Sequence, residues 1–361
     1  IIKLCLSTFL GEALMFKFRH LLFPLILLLT LTEVMALVEL KMVGNTRAKR
    51  MDPVLKIFNE TIGKENGFKV LYQYDKLAVS KAIKEGKGKD LKFDLIQIPD
   101  ASLLGSAASQ NFLLPLESSV LRENVPEYLR SKEGTWYGFT KKARVLFYNS
   151  DLVKPYELDE LLTYEDLGHP TWKGRLCLRT SDSLYNISLI AFFVDVKGKE
   201  STESMLKEWI NNKPLIKKSD MSGVLQALHE GECHIGVANT YYLGHFRKKY
   251  EKTPIKMVFP NQNSYGAHIN LRSFGVHKLT NYPHFSKRVL EFLTSERAQD
   301  LITQGNSEFG GSFEYPVNPK VKLRGFVKEV SQFKENKKFN LEIKALQNEK
   351  AKEIARELGW K

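Results

Sequence analysis

Tyr241 and Tyr242 stand side by side in the run Ala238-Asn239-Thr240-Tyr241-Tyr242-Leu243-Gly244. An apolar stretch with strand character, His234 to Ala238, leads into them, and a stretch with helix character, Leu243 to Lys252, follows. Neighbours on a strand point to opposite faces, but on the first turn of a helix they stand about 100° apart. Two rings placed there converge on one site at the mouth of an α/β unit, where ligands bind. Phenol oxygens, with an ordinary pKa of about 10, become hard anionic ligands when a strong Lewis acid displaces their protons. The same pair suits plain packing and hydrogen bonding at a helix start, and the dipeptide alone leaves both roles open.

Other reactive residues form no recognisable constellation. The 8 histidines make no HExxH or CxxC…H pattern, and there is no G-x-S-x-G elbow, GxGxxG or Walker loop. The chain is therefore not expected to be an enzyme. Cys177 and Cys233 both lie in strand-like segments. An even count in an exported chain favours a disulfide, with two buried thiols as the alternative.

The elements that must position these residues begin after an export signal. Met15 to His20 is a short basic region, Leu21 to Leu31 an apolar core, and Val34-Met35-Ala36 a small-residue cleavage site. This pattern predicts a signal peptide over 15–36, cut after Ala36, with 1–14 as translated sequence upstream of the native start. The net charge is +13, and loss of Lys3, Lys17, Arg19, Glu12 and Glu33 leaves +12. The basic residues are scattered and not interleaved with aromatics, so export argues against nucleic acid and for anionic ligands or an acidic partner face. From Val38 onward strand-like and helix-like runs alternate in a βαβαβ pattern, which predicts a parallel sheet. A helix is expected from Pro53 to Ile62, with Asp52 as its cap. A long β-like run, Trp136 to Asn149, is long enough to pass from one domain into another, and a second α/β set follows. Leu341 to Trp360 has apolar residues at helical spacing and reads as a docked amphipathic helix. Two α/β lobes joined by crossing strands describe a cleft-type solute receptor.

Several stretches resemble the periplasmic ferric-ion-binding proteins, substrate receptors of iron-importing ABC transporters. They are 134–149, 172–179, Leu184-Tyr185-Asn186, Asn239-Thr240-Tyr241-Tyr242-Leu243-Gly244, 266–270 and Glu314-Tyr315-Pro316-Val317, in family order. The resemblance implies an α/β, two-lobed type II periplasmic binding protein fold with crossing strands between lobes. The expected lobes are 37–140 with 268–313, and 141–267 with 314–361, the second carrying the tyrosines. It further implies that Tyr185, Tyr241 and Tyr242 hold Fe3+ through phenolate oxygen, which a hard cation prefers. Arg144, with Lys142 in the other basic position, is the candidate for holding a synergistic anion such as carbonate. The implied partner is an inner-membrane ABC permease, the implied location the periplasm, and the expected state a monomer.

The first lobe departs from the family pattern. Many members carry a His-Tyr pair just after the first strand, where this chain has Thr46-Arg47-Ala48-Lys49. Ala48 cannot coordinate, and a lysine ammonium coordinates poorly. Three readings follow: the tyrosines hold iron with an exogenous anion or water, Arg47, Lys49 and Arg50 attract an anionic ferric chelate or other small anion, or ferric binding has been lost. Asp100, at the end of the third strand, could give a first-lobe oxygen or simply cap a helix. An envelope interaction protein with a vestigial cleft is the alternative of another class.

Overall fold

The structure is a computed structural model and describes residues 37–304, 311–338, 341 and 345–361. The expected signal peptide and the 1–14 segment lie outside them. Ten strands are present among the described residues: β1 (Val38–Gly44), β2 (Phe68–Tyr74), β3 (Leu95–Ile98), β4 (Tyr137–Asn149), β5 (Leu176–Arg179), β6 (Leu215–Lys217), β7 (Ile235–Asn239), β8 (Ile255–Val258), β9 (Ile269–Val276) and β10 (Tyr315–Pro316). They run in the order β2-β1-β3-β9-β4-β7-β5-β6, with β8 and β10 also on β4. β1 pairs parallel with β2 and β3, and β5 pairs parallel with β6 and β7, so each half needs crossover connections. β9 and β4 run antiparallel to their neighbours. β4 belongs to both halves: Tyr137 to Ala143 pairs with β9, and Arg144 to Tyr148 with β7. Lys142 and Arg144 thus stand where the strand leaves one sheet and enters the other.

Each half has its own core. Leu40, Met42, Phe58, Phe68, Leu95 and Leu290 are among the residues that fill the first. The second sheet is covered on both faces, and the two-residue alternation of β4 shows how. Leu146 and Tyr148 pack with Leu189, Phe192, Phe193 and Trp209, while Val145 and Phe147 pack on the other side with Leu225, Leu228 and Phe246. Cys177 and Cys233 form a disulfide beside β5 and β7, with Cα atoms 5.8 Å apart. The 314–361 segment, expected with the second lobe, divides between the cores. Val317 and Leu341 pack into the first, whereas Ala351, Ile354 and Trp360 pack into the second. β10 pairs with the first-sheet half of β4, which carries Val317 to that side.

Four helices bear on the site. α1 (Ala48–Phe58) buries Met51, Val54, Leu55 and Phe58 at helical spacing. It starts earlier than the expected Pro53, which lies inside it. The buried Met51 anchors the extra turn, so burial outweighs the hydrogen bond that Pro53 cannot donate. α2 (Leu184–Lys197) is apolar on almost every side and buries Asn186 to Val194, as a helix covered by neighbours must. α3 (Tyr241–Lys249) follows β7, and α4 (Ala345–Glu357) packs mainly against α2.

Candidate functional site

Two strand-to-helix junctions bring the tyrosines together. β7 runs into α3, where Thr240 still donates its backbone N–H to Ala143 of β4 at 3.0 Å. Tyr241 and Tyr242 therefore open the helix beside the changeover point of β4. Their rings lie 4.1 Å apart between centroids and 33° out of parallel. β5 runs through a short turn into α2, and Tyr185 sits in the first turn. Its hydroxyl oxygen is 3.3 Å from that of Tyr241. Tyr241 is buried, whereas Tyr185 and Tyr242 are half-buried.

Cations surround Tyr185. Lys142 Nζ lies 5.2 Å from its ring centroid, the Arg179 guanidinium 5.6 Å and that of Arg144 5.7 Å. Asp220 bridges the two arginines, accepting from Arg144 Nη1 at 3.0 Å and Arg179 Nη1 at 2.8 Å. Arg144 Nη2 donates to Asn186 Oδ1 at 2.7 Å. Each terminal nitrogen of Arg144 thus has one partner in the wall, while its buried Nε has no hydrogen-bond partner among the described residues. The Lys142 ammonium is likewise buried with no hydrogen-bond partner among the described residues. Burial, together with the nearby oxygen of Tyr185, pushes the Tyr241 and Tyr242 hydroxyls well above their ordinary pKa, so both are protonated at neutral pH.

A cavity of about 360 Å³ opens onto this wall and has residues of both halves around it. Tyr185, Tyr242, Arg179 and Asp220 line one side, and Asn45, Lys76, Pro99 and Asp100 the other. Asp100 is 1% exposed and caps the turn that follows it, its Oδ1 accepting from Ser102 N at 2.9 Å. Arg47 and Lys49 are exposed at the start of α1 and do not line the cavity. Arg50 instead reaches across, its Nη2 donating to His245 Nε2 at 3.1 Å. Burial and the Arg50 charge lower the His245 pKa to about 4, so the ring is neutral and can accept. His245 escapes the motif search, yet it lies one turn beyond Tyr241 on the same helix face. Glu314 is a second residue that spacing does not reveal. Burial raises its pKa, but Arg272 at 3.0 Å, with Lys142, Thr140 and Arg50, holds it below the usual carboxylate range.

The model of the bacterial extracellular solute-binding protein family matches residues 48–300. Iron uptake protein A1 of Synechocystis is 35% identical over 283 residues, 77% of this chain and 76% of that protein. Among solved structures, a Trichodesmium protein in complex with iron and citrate ligands superposes with a TM-score of 0.79 at 30% identity, covering 90% of this chain and 100% of that one. A ferric binding protein from Campylobacter jejuni superposes with a TM-score of 0.76 at 26% identity, over 89% of this chain and 100% of its own.

Proposed function

The chain belongs to the bacterial extracellular solute-binding proteins, and from that premise we propose that it is a periplasmic receptor that takes up ferric iron for an ABC permease. Its fold is the two-lobed type II binding protein fold, and its family carries substrates and is not named for catalysis. The observation that carries the reading is the convergence of three phenols, with Tyr185 and Tyr241 oxygens 3.3 Å apart and the Tyr242 ring tilted against that of Tyr241. Fe3+ is the cargo. It displaces the phenol protons, and three phenolates cancel its charge inside a cleft where unpaired charge is costly. Arg144 and Lys142 are the residues to take a synergistic anion such as carbonate, since the Nε of one and the buried ammonium of the other have no hydrogen-bond partner among the described residues. The reading includes a monomer with no role in nucleic-acid binding. The two lobes would comprise 37–140 with 268–313, and 141–267 with 314–361, the last segment shared between cores. The test is optical. Ferric loading of the wild type should produce a tyrosinate-to-iron charge-transfer band in the visible, and Tyr241→Phe should weaken it sharply. No band in the wild type would refute the reading.

A second reading has its own observation. Lys76, Arg179 and Lys142 put positive charge on or beside the cleft, and a relative was solved with iron and citrate ligands. Such a surround suits an anionic ferric chelate. Calorimetry against ferric citrate, ferric ion with carbonate, and phosphate separates the two: heat with ferric citrate alone favours the chelate, and heat with carbonate-loaded iron favours the bare ion.

A further inference from the structure

At the start of α1, Ala48 has no donor atom in its side chain, and Arg47 and Lys49 are exposed and do not line the cavity. Arg50, one position on, is half-buried and reaches the opposite half of the molecule. A guanidinium stays protonated and has no acceptor atom, so it cannot coordinate a metal. It can donate, and its Nη2 meets His245 Nε2 of α3 at 3.1 Å. Because arginine only donates, Nε2 must accept, which puts the ring proton on Nδ1. That proton serves the Ser312 backbone, to which the ring is also hydrogen-bonded. Two aromatic neighbours fix the ring further, Phe313 edge to face at 4.9 Å between centroids and Tyr241 at 5.9 Å. On the other side of the contact, the charge of Glu314 favours the Arg50 cation. The acceptor is therefore already oriented for Arg50, which lowers the ordering cost of the contact.

We propose that Arg50 and His245 form a latch that joins the two lobes directly, so that closure in this chain does not depend on a metal ligand from the start of α1. A contact made only when the lobes are together favours the closed state. The latch therefore raises the share of closed receptor before cargo arrives and slows the departure of cargo afterwards. Its effect on iron rests on the ferric reading above, whereas the latch itself needs no metal. Arg50 is in this sense a positioning residue: it acts on the cargo through His245, one helical turn from Tyr241.

The experiment compares the full chain with Arg50→Ala, His245→Phe, the double variant and Arg50→Lys. Phenylalanine keeps a ring for Phe313 and Tyr241 to pack on, lysine keeps a donor for His245, and thermal melts check folding. X-ray scattering of each protein without metal gives the ratio of open to closed receptor. Each single variant should raise that ratio roughly 2–10-fold, the worth of one hydrogen bond, with Arg50→Lys recovering part of the loss. The double variant should open no further than either single one, because both changes remove the same contact. Iron release to a chelator should quicken in parallel. Ratios equal to wild type in both single variants, or effects that add in full in the double variant, would overturn the latch. A wild type without a charge-transfer band would overturn the ferric reading instead, and the scattering ratios would still decide the latch.

Discussion

Asn186 follows Tyr185 by one position, and its buried side chain ties together everything that aims that ring. Its Oδ1 accepts from Arg144, and its Nδ2 donates to the carbonyls of Arg179 at 2.9 Å and Thr180 at 3.1 Å. Asn186→Ala would leave Arg144 Nη2 without its acceptor and take one donor each from the Arg179 and Thr180 carbonyls, which keep Trp360 Nε1 and Ser183 N. An unsatisfied buried group costs about 1–3 kcal/mol, so a destabilisation of roughly 1–3 kcal/mol is expected in urea unfolding. A change below about 0.5 kcal/mol would contradict this role. The three tyrosines could be picked out in the sequence because each sits in a distinctive local run at a helix start. The state of Arg144 could not. Its partner Asp220 lies 76 residues away, and ion pairs between distant segments leave no periodic trace. His245 was within reach of the sequence, since it stands four positions after Tyr241, but a lone histidine on a helix carries little signal without the Arg50 across the cleft.

At the scale of elements, the second half is fastened at the start of β5 by a charge pair. Arg175 donates to Glu157 Oε1 at 2.6 Å and to Oε2 at 3.2 Å, joining β5 to the short helix Pro155–Leu158. The Arg175 hydrogen bond lowers the Glu157 pKa from 4.5 to about 2. A carboxyl with a depressed folded pKa binds fewer protons folded than unfolded below its unfolded value. Its stabilisation is therefore full above about pH 4.5 and disappears as pH falls to about 2. Glu157→Gln should flatten that part of the acid-stability curve, measured by melting temperature against pH, and leave its neutral slope unchanged. An acid limb identical to wild type would speak against the pair. The alternating strands and helices were readable from apolar periodicity. Helix boundaries were less so: Pro53 signals a start, but Met51 is buried, and packing carries α1 one turn further back. The disulfide was half-legible, because composition permits pairing but only adjacent β5 and β7 bring the two cysteines within reach.

At the scale of the molecule, the two halves meet around a shared strand and a shared C-terminal segment, with the cleft between them. Arg50 of α1 and His245 of α3 form a contact across it. A single hydrogen bond is worth about 0.5–1.5 kcal/mol, so Arg50→Ala should speed iron release to a chelator by roughly 2–10-fold in stopped flow. An unchanged rate would show that this contact does not help hold the lobes closed. Lobe division was visible in the length of the Trp136–Asn149 run, but the return of Val317 and Leu341 to the first core was not, since apolar residues do not announce which of two cores they enter. The account as a whole stands on where the metal sits. An anomalous difference map at the iron edge, from crystals of the ferric-loaded protein, tests that directly. The account predicts one peak about 2 Å from the hydroxyl oxygens of Tyr185, Tyr241 and Tyr242, the range of metal–oxygen bonds. A peak elsewhere, or full loading with no tyrosine oxygen in contact, would contradict it.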